Sequence, residues 1–567
     1  MRTMGKSRFL KLLFLGVSLC FLVSALLLPI MTLFSRVFFS NGSFIGIKNF
    51  QKYFSSPGVA SSVSHSFSVS LITTVIVLFI AFWYVYALER SSIRGKGIYR
   101  WIAMLPLFAP SMTHGIALIY LFGAKGIITS GFFGALPWLN FEFPLYGKWG
   151  IVFAEAIYVF PAVYLMLSVA FKTVDYRLYE AAEVMGTSSV KQFFTITLPG
   201  VKFGIISAFF SAFTMVFTDF GAPKVVGGNY NLLATDIFKQ VIGQQNITMG
   251  AVVGMLLIIP SVIAFIADRL ISRRNSAVDS KARPYIIKEN KGRDIVLAFF
   301  TASVSFIILG IFVTILFAAL VKRWPYDLSL TLQWFKIKTL GKSVMEIYRD
   351  TIFVAMLSAV MGTIITIIAS YISERGRDFK PLRTAVRFLS LIPLALPGLV
   401  VGLSYILHFN DKDNPLNFIY GTFFILILAN VLHFYSVPFQ TITGSMKQLD
   451  REYENLSESL GMPWYHVFFR VILPMSKTAI IESFSYFFVN SMMTVSAVTF
   501  LYTTKTKVAS VEMIDRYDAG DISTAAAVAV LIILTNIIFK FTLEKLKSMK
   551  HRYIKKRMEK IKINNPI

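Results

Sequence analysis

The chain has 567 residues, of which 55% are hydrophobic and 15% are charged, and its mean hydropathy is +0.65. This low charged fraction excludes a large soluble protein, in which about a quarter of the residues are charged. The net charge of +26 suggests nucleic acid, but the basic residues gather in short segments between hydrophobic runs and form no face with interleaved aromatics. The composition therefore predicts a protein embedded in a lipid bilayer, with no nucleic-acid partner.

Twelve hydrophobic runs can cross a bilayer as helices, for which about 20 residues are needed. We name them spans one to twelve and predict an all-α membrane protein with spans at 10–34, 63–88, 99–123, 150–171, 202–221, 248–268, 295–320, 350–373, 384–408, 419–441, 477–499 and 522–541. The first run follows three basic residues, as in a signal peptide, but its length of about 25 residues indicates a retained helix. The single cysteine, Cys20, lies in this run and can form no internal disulfide.

An even number of spans places both termini on one side of the membrane, and basic residues mark that side as the cytoplasm. The basic segments are Arg90 to Arg100, eight Lys/Arg between Arg269 and Arg293, and ten more from Lys540 to Lys562. One loop disagrees with this topology. Between spans seven and eight, the predicted outer side carries Lys322, Arg323, Lys336, Lys338 and Lys342.

The two halves of the chain repeat each other. The matching features are Glu89-Arg90 with Glu374-Arg375, Pro106 and Pro110 with Pro393 and Pro397, and Phe160-Pro161 with Val437-Pro438. Because a proline inside a helix removes an amide donor and bends it, matched prolines predict matched bends. We predict a first unit at 1–269, a linker at 270–294, a second unit at 295–541 and a basic cytoplasmic tail at 542–567.

A polar motif recurs in the loops after spans four and ten, at 172–201 and 442–476. The first copy contains Glu180-Ala181-Ala182, Gly186 and Ile196-x-Leu198-Pro199. The second, 275 residues later, contains Asn455-Leu456-Ser457 between Glu454 and Glu458, then Gly461 and Val471-x-Leu473-Pro474. We predict a short polar helix, a turn that glycine permits, and a proline in the first turn of the next membrane helix.

This repeated motif resembles the coupling loop of bacterial ATP-binding-cassette (ABC) importer permeases of type I. The resemblance implies two tandem six-helix permease units in the cell membrane, an ATPase dimer on the cytoplasmic side and an extracytoplasmic solute-binding protein. In such a loop, Ala181 and Ala182 would form a small apolar face for a cleft of the ATPase, while Glu180 and Glu183 would meet basic residues on its rim.

The chain contains no G-x-x-x-x-G-K-[ST] fingerprint and no set of catalytic residues. We therefore expect that it is not an enzyme, that it binds no cofactor or metal, and that a partner subunit uses the ATP.

Spans five and eleven carry polar stripes. Ser207, Ser211, Thr214 and Thr218 lie on one helical face, with Asp219 next in the chain. The comparable line in span eleven consists of Glu482, Tyr486, Asn490 and Met493. An ionisable group at membrane depth is costly unless it faces protein or water, which favours a translocation pathway here. The alternative is that the hydroxyls bond to their own backbone and the acids lie at the ends of the helices.

The segment after span five carries the most specific resemblance. It runs from Thr218-Asp219-Phe220-Gly221 to Gly228-Asn229-Tyr230-Asn231 and continues to Asn246. With segments 491–498, 507–511 and 518–522, it resembles the fused permeases assigned to 2-aminoethylphosphonate uptake, over nearly the whole chain. Asp219 with Thr214 and Thr218, facing Tyr486 and Asn490, would accept the ammonium of that solute.

Two alternatives stay open. Ferric-iron permeases are also fused proteins of twelve spans. Iron would require several oxygen ligands together, and the two stripes show no clear cluster. An ATP-independent secondary transporter is an alternative of another class, since such folds also contain repeats. Six spans in each half make these repeats parallel, and the spans lack paired charges for a proton relay, which favours the importer.

Overall fold

The computed structural model describes residues 2–40, 43–55, 59–275, 283–339, 341–376 and 378–564. Residues 276–282 of the predicted linker and 565–567 of the predicted tail lie outside the described residues. The described chain is a bundle of long helices, joined by short helices and small antiparallel ribbons. One large hydrophobic core includes side chains from both halves. The predicted all-α class is therefore confirmed.

Most predicted spans are single helices. Eight in the described chain are long and apolar enough to cross a membrane: Phe9–Phe38, Ser61–Arg90, Lys148–Lys172, Ser189–Thr218, Ile247–Ile271, Lys291–Leu320, Val344–Arg375 and Ile522–Lys547. Three further spans are bent pairs, namely Lys96–Phe108 with Ser111–Phe122, Lys380–Ala395 with Gly398–Phe409, and Phe423–His433 with Ser436–Lys447. Span eleven is the helix Lys477–Met493, whose 17 residues are just enough to cross the hydrocarbon region.

Shorter elements connect the spans. The short α-helices are Lys48–Phe54, Arg177–Val184, Gly221–Val226, Leu233–Phe238, Glu452–Ser459, Trp464–Val467, Leu473–Met475 and Ala509–Asp518. Turns of 3₁₀-helix lie at Pro137–Leu139, Gln333–Lys336 and Asn417–Ile419, and π-helical turns at Val23–Leu27, Phe193–Thr197, Lys239–Gly243 and Phe468–Ile472. The antiparallel ribbons pair Phe39–Ser40 with Ser43–Phe44, Val321–Arg323 with Asp327–Leu330, and Lys338–Thr339 with Lys342–Ser343.

Spans three and nine are broken in the same way. The helix of span three bends by 104° at Ala109-Pro110. The helix of span nine bends by 113° at Leu396-Pro397. Ala109 and Leu396, which precede these prolines, are extended, because the proline ring disfavours helical backbone in the residue before it. The matched bends predicted for these two spans are therefore present.

The bends expected in spans four and ten do not match. Pro161 lies inside the unbroken helix Lys148–Lys172, whereas span ten bends by 53° between His433 and Ser436. Pro438 comes two residues after that break, in the first turn of the new helix, where no amide donor is needed. The shared proline therefore has a different structural role in each half.

The first span of each half packs against the other half. In span one, the Ala25 carbonyl accepts from the Tyr405 hydroxyl of span nine at 2.8 Å, and Thr32 lies 2.9 Å from His408. In span seven, Ser305 bonds to the Tyr84 hydroxyl of span two at 2.9 Å. Each half therefore contacts the other through its first span.

Candidate coupling helices and central cavity

The first predicted coupling loop contains an eight-residue helix, Arg177–Val184, whose end is closed by Gly186. The Gly186 N–H donates to the Glu183 carbonyl at 2.9 Å, and the Thr187 N–H donates to the Ala182 carbonyl at 3.0 Å. These two bonds form a Schellman motif, which requires left-handed backbone after the helix. Gly186 has a φ of +70°, which glycine adopts without a Cβ penalty.

The second loop repeats this geometry with different side chains. Its eight-residue helix is Glu452–Ser459, and Gly461 has a φ of +66°. The Gly461 N–H donates to the Glu458 carbonyl at 3.0 Å, and the Met462 N–H donates to the Ser457 carbonyl at 2.9 Å. The backbone of the motif is therefore the same in both halves, although the second copy lacks the acid and alanines of the first.

Both coupling helices expose apolar side chains. Ala181 is exposed, but Ala182 is only 4% exposed and packs beneath the helix. The prediction that these two alanines share an outward face is therefore wrong for Ala182, because adjacent residues on a helix point in different directions. The exposed apolar residues are Leu178, Ala181, Val184 and Met185 in the first loop, and Tyr453, Leu456 and Leu460 in the second.

Glu454 faces the bundle, unlike the exposed Glu458. Its carboxylate accepts from Nε and Nη2 of Arg375 at 2.6 and 2.8 Å. The buried Arg375 guanidinium also donates to the carbonyls of Leu449 and Asp450 at 2.8 and 2.7 Å. Such bidentate pairs are strong and directional. Glu454 therefore ties the second coupling helix to the end of span eight, which corrects its predicted place among the docking residues.

In the first half, ring contacts replace this ion pair. Arg90, the counterpart of Arg375, lies 4.2 Å from the ring centre of Tyr285 and 5.8 Å from that of Tyr179. It also donates to the Phe171 carbonyl at 2.8 Å. Tyr179 stands 275 residues before Glu454, at the equivalent position. A cation over aromatic faces is attractive, so an arginine holds each coupling helix by different chemistry.

The described end of the linker contacts the first coupling loop. The Lys288 ammonium lies 2.6 Å from the Glu183 carboxylate, and this hydrogen bond raises the pKa of Lys288. The Arg283 N–H donates to the Asp175 carboxylate at 3.2 Å. Of the two acids predicted to meet the ATPase rim, Glu183 therefore has a partner in its own chain. Glu180 has no ion pair with any residue that the structure describes.

Pro199 and Pro474 each follow a π-helical turn. The amide after each turn donates to the turn's first carbonyl, five residues back. Proline has no N–H to continue the normal ladder, so each helix widens immediately before it. The α-helical part of span five begins at Leu198, so Pro199 lies in its first turn as predicted, although the π-helical turn joins it without a break to the residues before it. After Pro474, the chain does break, at Ser476.

A cavity of about 280 Å³ lies between the two halves, and a second of about 90 Å³ adjoins it. Residues at the breaks of spans nine and ten, including Pro397 and Phe434, form part of the larger cavity's wall. Six predicted pathway residues meet here. Ser211, Thr214, Thr218, Asp219 and Tyr486 line the larger cavity, and Asp219 and Asn490 line the smaller one.

The cavity lining is rich in hydrogen-bond acceptors. The hydroxyls of Thr214 and Thr218 donate to the carbonyls four residues earlier, at 2.8 and 2.9 Å. Their hydrogens are thereby used, and only their oxygen lone pairs remain for a solute. Asp219 adds a carboxylate, which accepts from the Ala222 N–H at 3.1 Å. These three side chains therefore favour a solute with positive charge or N–H donors.

Glu482 and Ser207 do not join this group. Glu482 is half exposed, and its carboxylate lies 3.0 Å from the Lys547 ammonium. Ser207 donates to Asp268, which does line the larger cavity. The polar stripe of span eleven thus leaves the cavity toward the coupling side, and Glu482 lies at that end.

Sequence reasoning missed three residues near the cavity. Tyr158 and His433 line both parts of it. Glu155 is fully buried, and its carboxyl group lies beside that of Asp219. An acid within the apolar run of span four was the available signal. Tyr158 lies on the same face three residues later.

Metal-binding side chains do not form a closed site. Within the described ranges, no three or more His, Cys, Asp or Glu side chains are grouped closely enough to hold a metal ion.

The fold is a duplicated helical bundle with a polar cavity between its halves and one short capped helix in a loop of each half. These features are typical of a membrane permease. The chain belongs to the family of binding-protein-dependent transport system inner membrane components, whose model matches residues 86–277 and 362–547. The two matches correspond to the two halves. The protein is thus an inner-membrane permease of the type I ABC importer family, a family of transport components and not of enzymes.

Several relatives are similar along most of the chain. A ferric transport system permease protein of Actinobacillus pleuropneumoniae is 26% identical over 84% of this chain and 69% of its own length. A putative ferric transport system permease protein of Haemophilus influenzae is 26% identical over 79% of this chain and 71% of its own. A molybdenum transport permease of the same organism is 27% identical over 38% of this chain and 93% of its own.

Proposed function

We propose that this chain forms the translocation pathway of an importer that is driven by a separate ATPase dimer and loaded by an extracytoplasmic solute-binding protein. The observation that carries this proposal is the pair of coupling helices with identical Schellman caps. Each contacts a buried arginine of its bundle, through the Tyr179 ring in the first helix and the Glu454 carboxylate in the second. A force on either exposed helix would therefore reach the spans that surround the cavity.

Reconstitution tests the dependence on partners. The chain alone in liposomes should show no solute flux, and flux should require ATP, the ATPase and the receptor together. Substrate-driven flux through the chain alone would replace this proposal with the secondary transporter.

We further propose that the solute is ferric iron. Relatives named as ferric permeases match most of the chain. The cavity also offers the oxygen atoms that hard cations prefer, from Asp219, Tyr158 and Tyr486 and from the hydroxyls of span five. Tyr158, on span four, supplies an oxygen ligand that the two stripes did not include.

2-Aminoethylphosphonate is the second candidate. The segment from Thr218 to Asn231 favours it through the resemblance described above, and the cavity's acceptors suit its ammonium group. Its phosphonate requires donors, and the Asn490 amide already gives one of its hydrogens to the Tyr486 carbonyl at 2.8 Å. The lining therefore accommodates one end of this solute better than the other.

Growth of a deletion strain separates the two solutes. Under the ferric proposal, the strain fails when iron is limiting and grows normally on 2-aminoethylphosphonate as the sole phosphorus source. The reverse result transfers the assignment to the phosphonate. Complementation with Asp219→Asn should restore growth poorly. Glu482→Gln is the matched control, because it removes an acid of the same stripes that lies outside the cavity, and it should restore growth fully.

A further inference from the structure

A large cleft opens at the end of the bundle opposite the coupling helices. Its volume is about 810 Å³, within the range of small-molecule sites. It lies between the end of span three, the ribbon after span seven and the turn before span twelve. Spans three and seven both end here, whereas the first coupling helix follows the opposite end of span four.

The cleft contains part of the basic loop that contradicts the predicted topology. Lys322 and Arg323 line it together with Lys125. The other three basic residues of the loop are elsewhere. Lys342 bonds to Asp350 at 2.6 Å, and Lys336 and Lys338 are exposed on the loop without lining the cleft.

Acids compensate only part of this positive charge. Asp327 pairs with Lys322 at 3.3 Å, and Asp521 pairs with Arg516 at 3.2 Å. Lys125 donates to the neutral Tyr326 hydroxyl at 2.7 Å, which leaves its charge uncompensated. The exposed Arg323 guanidinium has no hydrogen-bond or ion-pair partner among the residues that the structure describes.

Two indole rings form rigid walls beside these cations. Trp324 donates its ring N–H to the Lys125 carbonyl at 2.8 Å, and Trp334 donates its own to the Val321 carbonyl at 2.7 Å. Both line the cleft. Each indole is thus fixed to the backbone of a segment that carries a lining cation.

We infer that this cleft is a binding site for a small organic anion that carries a phosphonate, phosphate or carboxylate group. Arg323 supplies the planar fork of donors that matches such a group, and Lys125 supplies a second positive charge. The inference rests on the proposed function only in assigning this end to the outside of the cell. It concerns binding at this surface and does not require that the bound anion be the solute that the central cavity transports.

Binding to the purified full-length chain tests the site without any partner. The chain is placed in nanodiscs of phosphatidylcholine at low salt and titrated calorimetrically with methylphosphonate, then with inorganic phosphate. We expect saturable binding that Arg323→Gln weakens at least about tenfold, the effect of one charge-assisted bond. Lys336→Gln removes a charge from the same loop outside the cleft and should leave the affinity unchanged.

Three outcomes would overturn the inference. The first is no saturable binding, and the second is an equal loss in both variants. In the third, phosphatidylglycerol that is added to the nanodiscs displaces methylphosphonate, and it is enriched around the wild-type chain but not around the Arg323→Gln variant. This outcome would identify the ligand as a lipid headgroup. Because Arg323 has no internal side-chain partner in the described structure, its replacement should not unfold the chain. Thermal unfolding of each variant provides that control, and the partner-free format keeps failure here distinct from failure of the importer proposal.

Discussion

Substitution of the two cap glycines should separate backbone strain from steric contact. A Cβ added to Gly186 or Gly461 would meet no heavy atom within 4 Å, so only the left-handed backbone opposes a side chain. This conformation costs about 1–2 kcal/mol for an ordinary residue and less for asparagine. It costs more for valine, because a β-branched side chain is an outlier there. The expected order of damage at each site is Asn, then Ala, then Val.

A cost of one or two kcal/mol shifts the balance between a capped and a frayed helix end by about 5- to 30-fold. The assay is ATP-driven uptake by the variant with its ATPase and receptor, with the yield of chain in the membrane as the control for insertion. Because the two caps share the same hydrogen bonds, fraying should be equal at Gly186 and Gly461. A larger loss of uptake at Gly186 would then report tighter ATPase docking at the first coupling helix. Normal uptake with valine at both sites, or asparagine as harmful as valine, would refute the reasoning.

Three further substitutions test the packing described above by thermal unfolding. Glu454→Ala leaves a buried guanidinium unpaired and should destabilise the chain by about 3–5 kcal/mol, whereas the exposed Glu452→Ala should not; equal effects would contradict the ion pair. Gly398→Ser places a Cβ 2.1 Å from the Ser496 hydroxyl and should cost about 1–3 kcal/mol. The double variant with Ser496→Gly should recover most of that cost. If the losses of stability in the two single variants simply add, the two side chains are not in contact. Glu155→Gln keeps a hydrogen-bond donor beside the Asp219 carboxyl group and removes the second ionisable group, so it should leave the unfolding temperature at or above that of the wild type; a fall would show that the acid is needed.

The features that sequence predicted are those that local chemistry determines. A glycine after a short polar helix predicts a left-handed cap, and both Gly186 and Gly461 have one. Paired prolines in an apolar run predict a break, because proline restricts the residue before it as well as itself. The breaks at Pro110 and Pro397 follow directly. Neither feature depends on a distant part of the chain.

The features that sequence did not predict depend on contacts between distant residues. Glu454 was interpreted as a docking acid, but its partner Arg375 lies 79 residues away in the chain. Ala182 was placed on the exposed face, although only the packing of the bundle decides which side of a short helix is covered. Glu155 is an acid in an apolar run, but its neighbour Asp219 belongs to another span. In each case the residue type was informative, but the sequence did not show which distant residues it would contact.

The two halves share the same backbone features, namely the helix caps and the helix breaks, but differ in the side chains that contact them. In the first half Ser111 opposes Gly221, and in the second half Gly398 opposes Ser496, so the hydroxyl and the space for it have exchanged places. The acid Asp219 has Thr494 at its equivalent position, 275 residues later. Under the proposed function, two helices with the same cap would act on an asymmetric cavity. Both halves would then respond alike to one ATPase dimer, while the carboxylates that line the cavity among the described residues, Asp219 and Asp268, both come from the first half.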